Sequence, residues 1–543
     1  MANHNQSGLC CKDDILSYFV SYANKSFRIA PHSCTIAHSI KDIAMPKNTV
    51  EIAVQDSNAL IEAKIENLKK LEAQGVNPYP YTFDVTHHAG DLQKTYADLA
   101  VGVVTTDTVS VAGRVMSNRN SGMFIDLKDS SGKIQIFSHK EHVAEAVLEQ
   151  MSCYDIGDII GVTGIVRRTP RGELTVNTAQ AQMLCKSIRS LPEKYHGIHD
   201  VELKYRKRYL DLIMNDDSRA TFRKRSQIIA FIRQTLIGED FMEVETPMLH
   251  PIAGGANAKP FLTHHQALDM PLYLRIAPEL YLKRLVIGGF ERVFEINRCF
   301  RNEGISIKHN PEFTSVEIYQ AYADYTGMMA LTERLIEGAV KATHQGATKV
   351  QFGEREIDFK APWPRKPMVA LVKEKTGIDF MAVHDAGKAA LAAEKAGVSI
   401  KPGSNWGEIV EAVFADKVEA TLIQPVHVTD LPKDISPLAK THRENPLLTE
   451  RFESYVNAWE IANAFSELTS PFDQLDRFKK QAEARAKGNE EAQPMDEDFI
   501  EALEYGLPPT GGLGIGIDRL VMLLTNSQSI RDVIAFPTLR PIA

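Results

Sequence analysis

Two neighbouring stretches, Phe294 to Gly304 and His309 to Tyr322, alternate apolar and polar residues with the period of a β-strand. Phe294, Ile296 and Phe300 share one parity in the first, and Val316 and Ile318 share one in the second, so these faces are expected to pack into a core. The opposite parity carries Glu295, Asn297 and Arg301, then Phe313, Glu317 and Tyr319. A sheet face bearing an arginine, carboxylates, a phenol and a bare ring suits a flat, anionic ligand. Such a ligand would stack on the ring while the guanidinium grips it. A solvated face with surface ion pairs is the reading to prefer for one such strand. For two adjacent strands joined by a short basic loop, the ligand site is favoured.

The chain has 543 residues, enough for two to four domains and a large core. No run approaches the roughly 18 uninterrupted apolar residues of a membrane-spanning helix, so no membrane partner is expected. Six cysteines (Cys10, Cys11, Cys34, Cys153, Cys185 and Cys299) are scattered without a CxxC pair. That pattern favours reduced thiols in a cytosol-like compartment and argues against structural zinc. A net charge of -8 gives no bulk attraction to nucleic acid, so any such contact must use a local patch.

Residues 1–50 fit poorly with the rest of the chain and read either as a disordered extension or as a start placed too far upstream. A lead-in over 51–105 opens on a helix from Asp56 to Gln74, with Asp56 or Ser57 as cap and Gly75 as stop. Five alternating segments with one helix between the third and fourth then span about 106–190. They match the small Greek-key barrel called the OB-fold, or another small barrel that binds nothing. Residues 191–204 read as a linker leading to Tyr205-Arg206-Lys207-Arg208-Tyr209, a basic patch that could hold phosphates or simply begin a solvated helix. From 205 to 543 helices and strands mix without a βαβ repeat, so an antiparallel or mixed sheet is expected. Within this region a helix runs from beyond Ser218 to Leu236, and Phe241 to Pro247 reads as a strand stopped by proline. An alanine-rich helical insertion covers about 370–417.

Near the C-terminus, Gly511-Gly512-Leu513-Gly514-Ile515-Gly516-Ile517-Asp518-Arg519 precedes an apolar helix. Its glycines permit close backbone approach to a ligand. The spacing is not that of the dinucleotide fingerprint, and no GxxxxGK[ST] phosphate loop occurs. If an adenine sits between Phe313 and Arg519, one face meets a ring and the other a guanidinium plane.

These residues also carry a family resemblance. Phe300-Arg301-Asn302-Glu303-Gly304 with His309-Asn310-Pro311-Glu312-Phe313-Thr314 resembles motif 2 of the class II aminoacyl-tRNA synthetases. The segment ending Glu245-Thr246-Pro247 resembles their motif 1, and Gly514 to Arg519 their motif 3. Within the class, the long runs IAPELYLKRLVIGGFERVFEINRCFRNEG, AGGANAKPF and EYGLPPTGGLGIGIDRL are similar to the bacterial-type lysyl-tRNA synthetases, from about Ile61 to Pro541.

The resemblance implies an α+β architecture: an OB-fold that reads the tRNA anticodon, then an antiparallel-sheet catalytic domain that forms a homodimer through motif 1. It implies a cytoplasmic enzyme joining L-lysine to tRNA(Lys) with ATP and Mg²⁺. Arg301 and Arg519 would act in catalysis. Arg301, Glu303, His309, Phe313, Glu460 and Arg519 would bind ATP. Gly255, Glu279, Arg301, Glu317, Tyr319, Asn463 and Glu467 would bind lysine, with Glu467 and Tyr319 at its ε-ammonium. Glu453 and Glu460 would bind Mg²⁺, and Arg114, Phe124, Gln135 and Glu173 would contact anticodon bases. An aspartyl or asparaginyl synthetase, a protein-lysylating enzyme and a non-catalytic tRNA-binding relative are the alternatives.

Glu453, Glu460 and Glu467 recur every seven residues, which equally describes a solvated helical stripe. As strands, parity sets Glu460 opposite the other two unless a turn or bulge intervenes, and Asn457-Ala458 could supply the turn. This run departs from the family, where a glycine pair and a basic residue often stand before the glutamate. Ala462 and Ala464 likewise replace common glycines. The barrel loop Ser117 to Met123 is shorter than usual and lacks a lysine often found there.

Overall fold

The computed structural model describes residues 56–192, 200–489 and 492–541. The expected extension over 1–50 and residues 193–199, half of the expected linker, lie outside the described residues. The chain divides into two compact units, Met1–Ser190 and Leu191–Ala543.

In the first unit, helix α1 (Asp56–Ala73) ends where Gly75 takes a φ of +77°. Strands β1 (Val104–Arg119), β2 (Phe124–Lys128), β3 (Lys133–Phe137), β4 (Ile159–Arg168) and β5 (Leu174–Cys185) close a barrel in the order β1-β2-β3-β5-β4. Helix α2 (Glu145–Ser152) lies between β3 and β4. Alternation drives the closure: Val109, Val111, Ile125, Leu127, Ile134, Ile136, Ile160 and Val162 all turn inward and are buried. The β1–β2 turn is tight, with Asn120, Ser121 and Gly122 all at positive φ.

The second unit is organised by one eight-stranded sheet. In chain order its strands are β6 (Met242–Glu243), β7 (Arg292–Phe300), β8 (Glu312–Ala321), β9 (Arg365–Pro367), β10 (Val426–Thr429), β11 (Arg451–Val456), β12 (Trp459–Ser466) and β13 (Thr510–Gly516). Their spatial order is β9-β10-β11-β12-β13-β8-β7-β6. The outermost pair at each end is parallel, and all the others are antiparallel. One face packs on helices α3 (Asp216–Gly238), α4 (Tyr325–Thr343) and α5 (Ile517–Leu524). Its core contains Phe294, Val316, Ile318, Leu513, Ile515, Ala462 and Ala464. The even-parity residues of β7 and β8 thus supply the core as their periodicity requires. Phe300 is the exception: it stands half-buried at the strand end, outside the core.

One expectation needs correcting, and one open alternative is decided. The strand from Phe241 contracts to Met242–Glu243. Beyond it Val244 still donates to the Phe294 carbonyl at 2.9 Å, but the chain then turns so that the Thr246 hydroxyl reaches Glu295 at 2.7 Å. The basic run Tyr205–Tyr209 is no open phosphate patch. Asp200 caps a helix over Val201–Arg206, and Arg208 is fully buried, paired with Asp211 at 2.7 Å and donating to the Ala535 carbonyl at 3.0 Å.

Asp518, at the start of α5, fastens three elements together. It accepts from Arg225 of α3 at 2.5 Å and from the Thr314 N–H of β8 at 2.7 Å. Asp518→Ala leaves the Arg225 guanidinium largely buried without its counter-charge, a loss of about 3–5 kcal/mol for such a pair. All three tryptophans (Trp363, Trp406 and Trp459) lie in this unit, so urea unfolding followed by tryptophan fluorescence reports the destabilisation selectively.

Candidate active site

Register places the polar side chains of the sheet's second face in rows. Pairing runs Glu295↔Glu317, Glu317↔Gly514, Gly514↔Asn463 and Asn463↔Glu453, a single line across five strands. The next line is Val293, Tyr319, Gly512, Phe465 and Arg451. Because β13 contributes only glycine to these rows, the middle of the face has a backbone floor with walls of charged side chains.

Glu460 joins this face through two local irregularities. Asn457 and Ala458 both take positive φ (51° and 58°), making the two-residue turn between β11 and β12. A bulge then leaves Ile461 unpaired, since Ser454 pairs with Ala462 but Tyr455 with Glu460. The turn raised as a possibility from the spacing of the glutamates is present. The backbone N–H groups of Asn457 and Ala458 hold it by donating to Ile423 and Leu422 carbonyls.

Gly255, Glu279, Arg301, Glu303, His309, Phe313, Glu317, Tyr319, Glu460, Asn463 and Arg519 all line one cavity of about 260 Å³. Glu453 lines a larger adjoining space of about 1660 Å³ that shares Arg301, Glu279 and Glu460 with the first. The Arg301 guanidinium lies 5.1 Å from the Phe313 ring centre, and its Nε is buried with no partner, a donor awaiting an acceptor. Arg519 donates to the Glu460 carbonyl at 2.6 Å and bonds His309 Nε2 at 3.1 Å. Burial, with the charges of Arg519, Lys308 and Arg301, holds His309 below its ordinary pKa. The neutral ring therefore accepts from Arg519 and turns its Nδ1–H to Ser306 Oγ at 2.8 Å.

Glu467 is not on the cavity wall. Its N–H donates to the Thr510 carbonyl, and its carboxylate is fully buried beneath Gly512 and Tyr319, paired with Lys283. A Cβ at position 512 would stand 2.0 Å from Glu467 Oε1 and 2.8 Å from Tyr319 Cε1, so only glycine fits. Lys283, in the helix Glu279–Ile287, also pairs with Glu279 at 2.6 Å. Glu317 accepts from the Tyr319 hydroxyl at 3.2 Å, and burial together with the charge of Glu279 pushes its carboxyl up to about 8. Burial likewise raises Glu467, with Glu279 and Glu317 adding like charge. Lys283 stays charged, because two carboxylates face it and outweigh its own desolvation.

Three contributors escaped the sequence reading. Lys283 lies inside one of the runs similar to the family, and nothing in its local spacing singles it out. Arg451 donates to Asn463 at 2.9 Å and to Glu453 at 2.6 Å; its parity match with Glu453 was the available signal. Lys308 has its ammonium 5.6 Å from the Trp459 ring centre. No signal in the sequence joined Lys308 to Trp459.

On the barrel, Phe124 pairs with Phe137 (ring centres 5.0 Å apart) and Asp126 with Gln135, so Phe124 and Gln135 share one outer face. Arg167 lies 4.3 Å above the Phe137 ring. Gln135 accepts from Thr175 at 3.1 Å, two residues beyond Glu173. Arg114 pairs with Lys128 further along the strand and donates to the Gly157 carbonyl at 2.6 Å.

A mostly antiparallel sheet whose polar face holds an arginine-bearing cleft, joined to a separate five-stranded barrel, is the arrangement expected of a class II synthetase. The profile of tRNA synthetases class II (D, K and N) matches residues 200–540, and that of the OB-fold nucleic acid binding domain matches 109–190. The chain is 54% identical over 486 residues to a lysine–tRNA ligase of Sinorhizobium medicae, covering 89% of this chain and 97% of that protein. It is 54% identical over 489 residues to one of Carboxydothermus hydrogenoformans, covering 90% and 99%. Against one of Rhizobium etli it is 53% identical over 498 residues, covering 91% and 99%. The chain belongs to the lysine–tRNA ligase family of class II tRNA synthetases.

Gly512→Ala should force Glu467 and Tyr319 apart without touching the nucleotide side of the cleft. The expected result is an amino-acid KM raised at least about tenfold, equivalent to about 1.4 kcal/mol, with the ATP KM near that of the unaltered protein. Steady-state ATP–pyrophosphate exchange measures both.

Proposed function

We propose that this chain uses ATP to join L-lysine to the 3′ end of tRNA(Lys) through a lysyl-adenylate. The observation that carries the reading is the charge of the amino-acid pocket. Glu279 and Glu467 are buried there with Glu317 half-buried beside them, and Lys283 pairs with the first two. A cationic side chain relieves that surplus, whereas the anionic side chain of aspartate would add to it.

In the first step the lysine carboxylate, already ionised near neutral pH, attacks the ATP α-phosphorus and pyrophosphate leaves. No protein base is needed, so rate comes from alignment and charge neutralisation. Arg301, with its unpartnered Nε in the cleft, takes the lysine carboxylate and the α-phosphate. Phe313 offers its face to the adenine, Glu303 and His309 complete the nucleotide contacts, and Arg519 holds the outer phosphates. Gly255 and Glu279 take the α-amino group, and Asn463 is oriented for the substrate by Arg451. Glu317 and Tyr319 form the end that meets the ε-ammonium, and Glu467, set beneath Tyr319 and Gly512, adds its negative charge from behind them. In the second step the 3′-terminal ribose hydroxyl of tRNA attacks the acyl carbon and AMP leaves.

Glu453 and Glu460 would hold Mg²⁺. Their carboxylate oxygens suit a hard cation, and burial with the neighbouring charges of Glu460 and Glu411 outweighs the paired Arg451 and pushes Glu453 up to about 7. When bound, Mg²⁺ supplies charge neutralisation on the phosphates.

The Phe124–Phe137 face of the barrel, with Arg114, Gln135 and Glu173, is the surface offered to anticodon bases. The motif 1 segment, with Met242, Met248 and Leu249 exposed beside it, is proposed as the homodimer contact. No helix among the described residues is long and apolar enough to cross a membrane. A cytoplasmic location is proposed from the tRNA substrate.

Glu467→Gln should lower lysine-dependent pyrophosphate exchange by at least about 100-fold, scaled from the 3–5 kcal/mol of a broken buried pair. An exchange rate near wild type removes the assignment. Phe124→Ala should raise the KM for tRNA(Lys) roughly tenfold, the stacking energy of about one base, while leaving pyrophosphate exchange unchanged. Comparing aminoacylation with exchange on the same variant separates the two effects.

A further inference from the structure

The pocket holds one more ionic group than recognition of a single amino acid requires. Lys283 is fully buried, with its ammonium between Glu279 (2.6 Å) and Glu467 and the Phe465 and Phe499 rings flanking it at 5.5 and 5.8 Å. Its side chain does not reach the cavity wall, so it does not itself meet the substrate. We propose that Lys283 is a positioning residue: its ammonium bridges Glu279 and Glu467, and the pocket is charge-complete only when the bound amino acid brings two further ammonium groups.

The inference rests on the lysine-ligase reading and deepens it. Two carboxylates line the cavity, Glu279 from the helix Glu279–Ile287 and Glu317 from β8, and a third, Glu467 just after β12, is buried beneath Gly512 and Tyr319. Glu295 of β7, on the same face, is already matched by Arg275 at 2.6 Å. At the amino-acid end the other ionisable side chains are Tyr319, Cys299, Arg301 and Arg451, the last committed to Glu453 and Asn463, while Glu303, Lys308, His309, Glu460, Asp518 and Arg519 line the nucleotide end of the same cavity. Lys283 therefore answers one of the three carboxylates. An α-ammonium and an ε-ammonium answer the other two, while the substrate carboxylate goes to Arg301. A neutral amino acid of equal length leaves a buried carboxylate unpaired, so selection follows from counting charges as well as from shape. Lys283 also ties Glu279, at the α-amino end, to Glu467, which lies beneath the far end of the cavity.

Without substrate the surplus negative charge is relieved by protons, in line with the raised Glu317 and Glu467 carboxyls. Binding of a diammonium ligand displaces those protons. Calorimetric titration of the unmodified, full-length protein with L-lysine near pH 7, in buffers of different ionisation enthalpy, should show release of about one proton per lysine bound. No net release overturns the proposal.

Lys283→Met keeps the length of the side chain and removes the charge. It should raise the lysine KM in pyrophosphate exchange by about 100-fold, hold the ATP KM within about twofold, and increase the proton release on lysine binding. Lys283→Arg should recover most of the lysine affinity. A Lys283→Met protein with lysine KM within about threefold of the unmodified enzyme, or with unchanged proton release, overturns it. Should Lys283→Met fail to fold, the calorimetry of the unmodified protein and the Lys283→Arg variant still decide. Absence of lysine-dependent exchange in the unmodified protein is a separate outcome, and it would remove the ligase reading instead.

Discussion

The site depends on strand register. Side chains on a strand alternate with a period of two, so a slip of one residue in any pairing turns that strand's ligand residues into the core. Five strands agree here: Glu295, Glu317, Gly514, Asn463 and Glu453 fall on one line. The buried even-parity residues Phe294, Val316 and Ile318, with Leu513 and Ile515 of β13, enforce that line from the other side. Packing of an apolar layer thus fixes the position of polar groups with which it has no direct contact. The glycines of β13 complete the arrangement by leaving a floor in the one strand where side chains would fill the cleft.

The second constraint is electrostatic and works against the first. Collecting Glu279, Glu317, Glu453 and Glu467 in a buried region raises every one of their carboxyls, chiefly through burial. Such a face destabilises the empty protein, and groups of this kind concentrate where ligands supply the missing charge. Internal cations carry part of it: Lys283 at the amino-acid end, Arg451 beside Glu453, and Arg275 on Glu295. What is left over matches the charges of a diammonium amino acid and a divalent cation.

The departures from the family pattern prove compatible with this geometry. Asn457 and Ala458 adopt the left-handed conformations that a glycine pair would take with less strain, and neighbouring carbonyls and Arg355 hold them there. Trp459, where a basic residue is common, is buried edge-on against Phe352 and receives Lys308 on its ring. The hairpin keeps its shape by packing in place of backbone freedom. In the barrel the short β1–β2 turn closes through three consecutive positive-φ residues, and its Asn118 side chain accepts from Gly122 and donates to the Tyr154 carbonyl.

Much of the fold was legible because it rests on local periodicity. The five barrel strands with their single helix, the helix after Ser218, and the two-faced β7 and β8 all follow from spacing. Parity alone identified Glu295, Asn297, Glu317 and Tyr319 as one face. The short β6 and the buried Arg208 were not legible, because a turn toward Glu295 and a cage of carbonyls near the far end of the chain leave no local trace. Long similar runs supplied the family, and with it the residues expected to meet ATP and lysine. The chain's order of residues thus determined which groups share a strand face and which chemistry they can perform, since that information repeats every two residues. Only tertiary structure decided that Glu460 joins Glu453 through a bulge, that Glu467 lies beneath Gly512, and that Lys283 bridges two acids. Each of those depends on charges and close contacts between segments far apart in the chain, where no periodic pattern reaches.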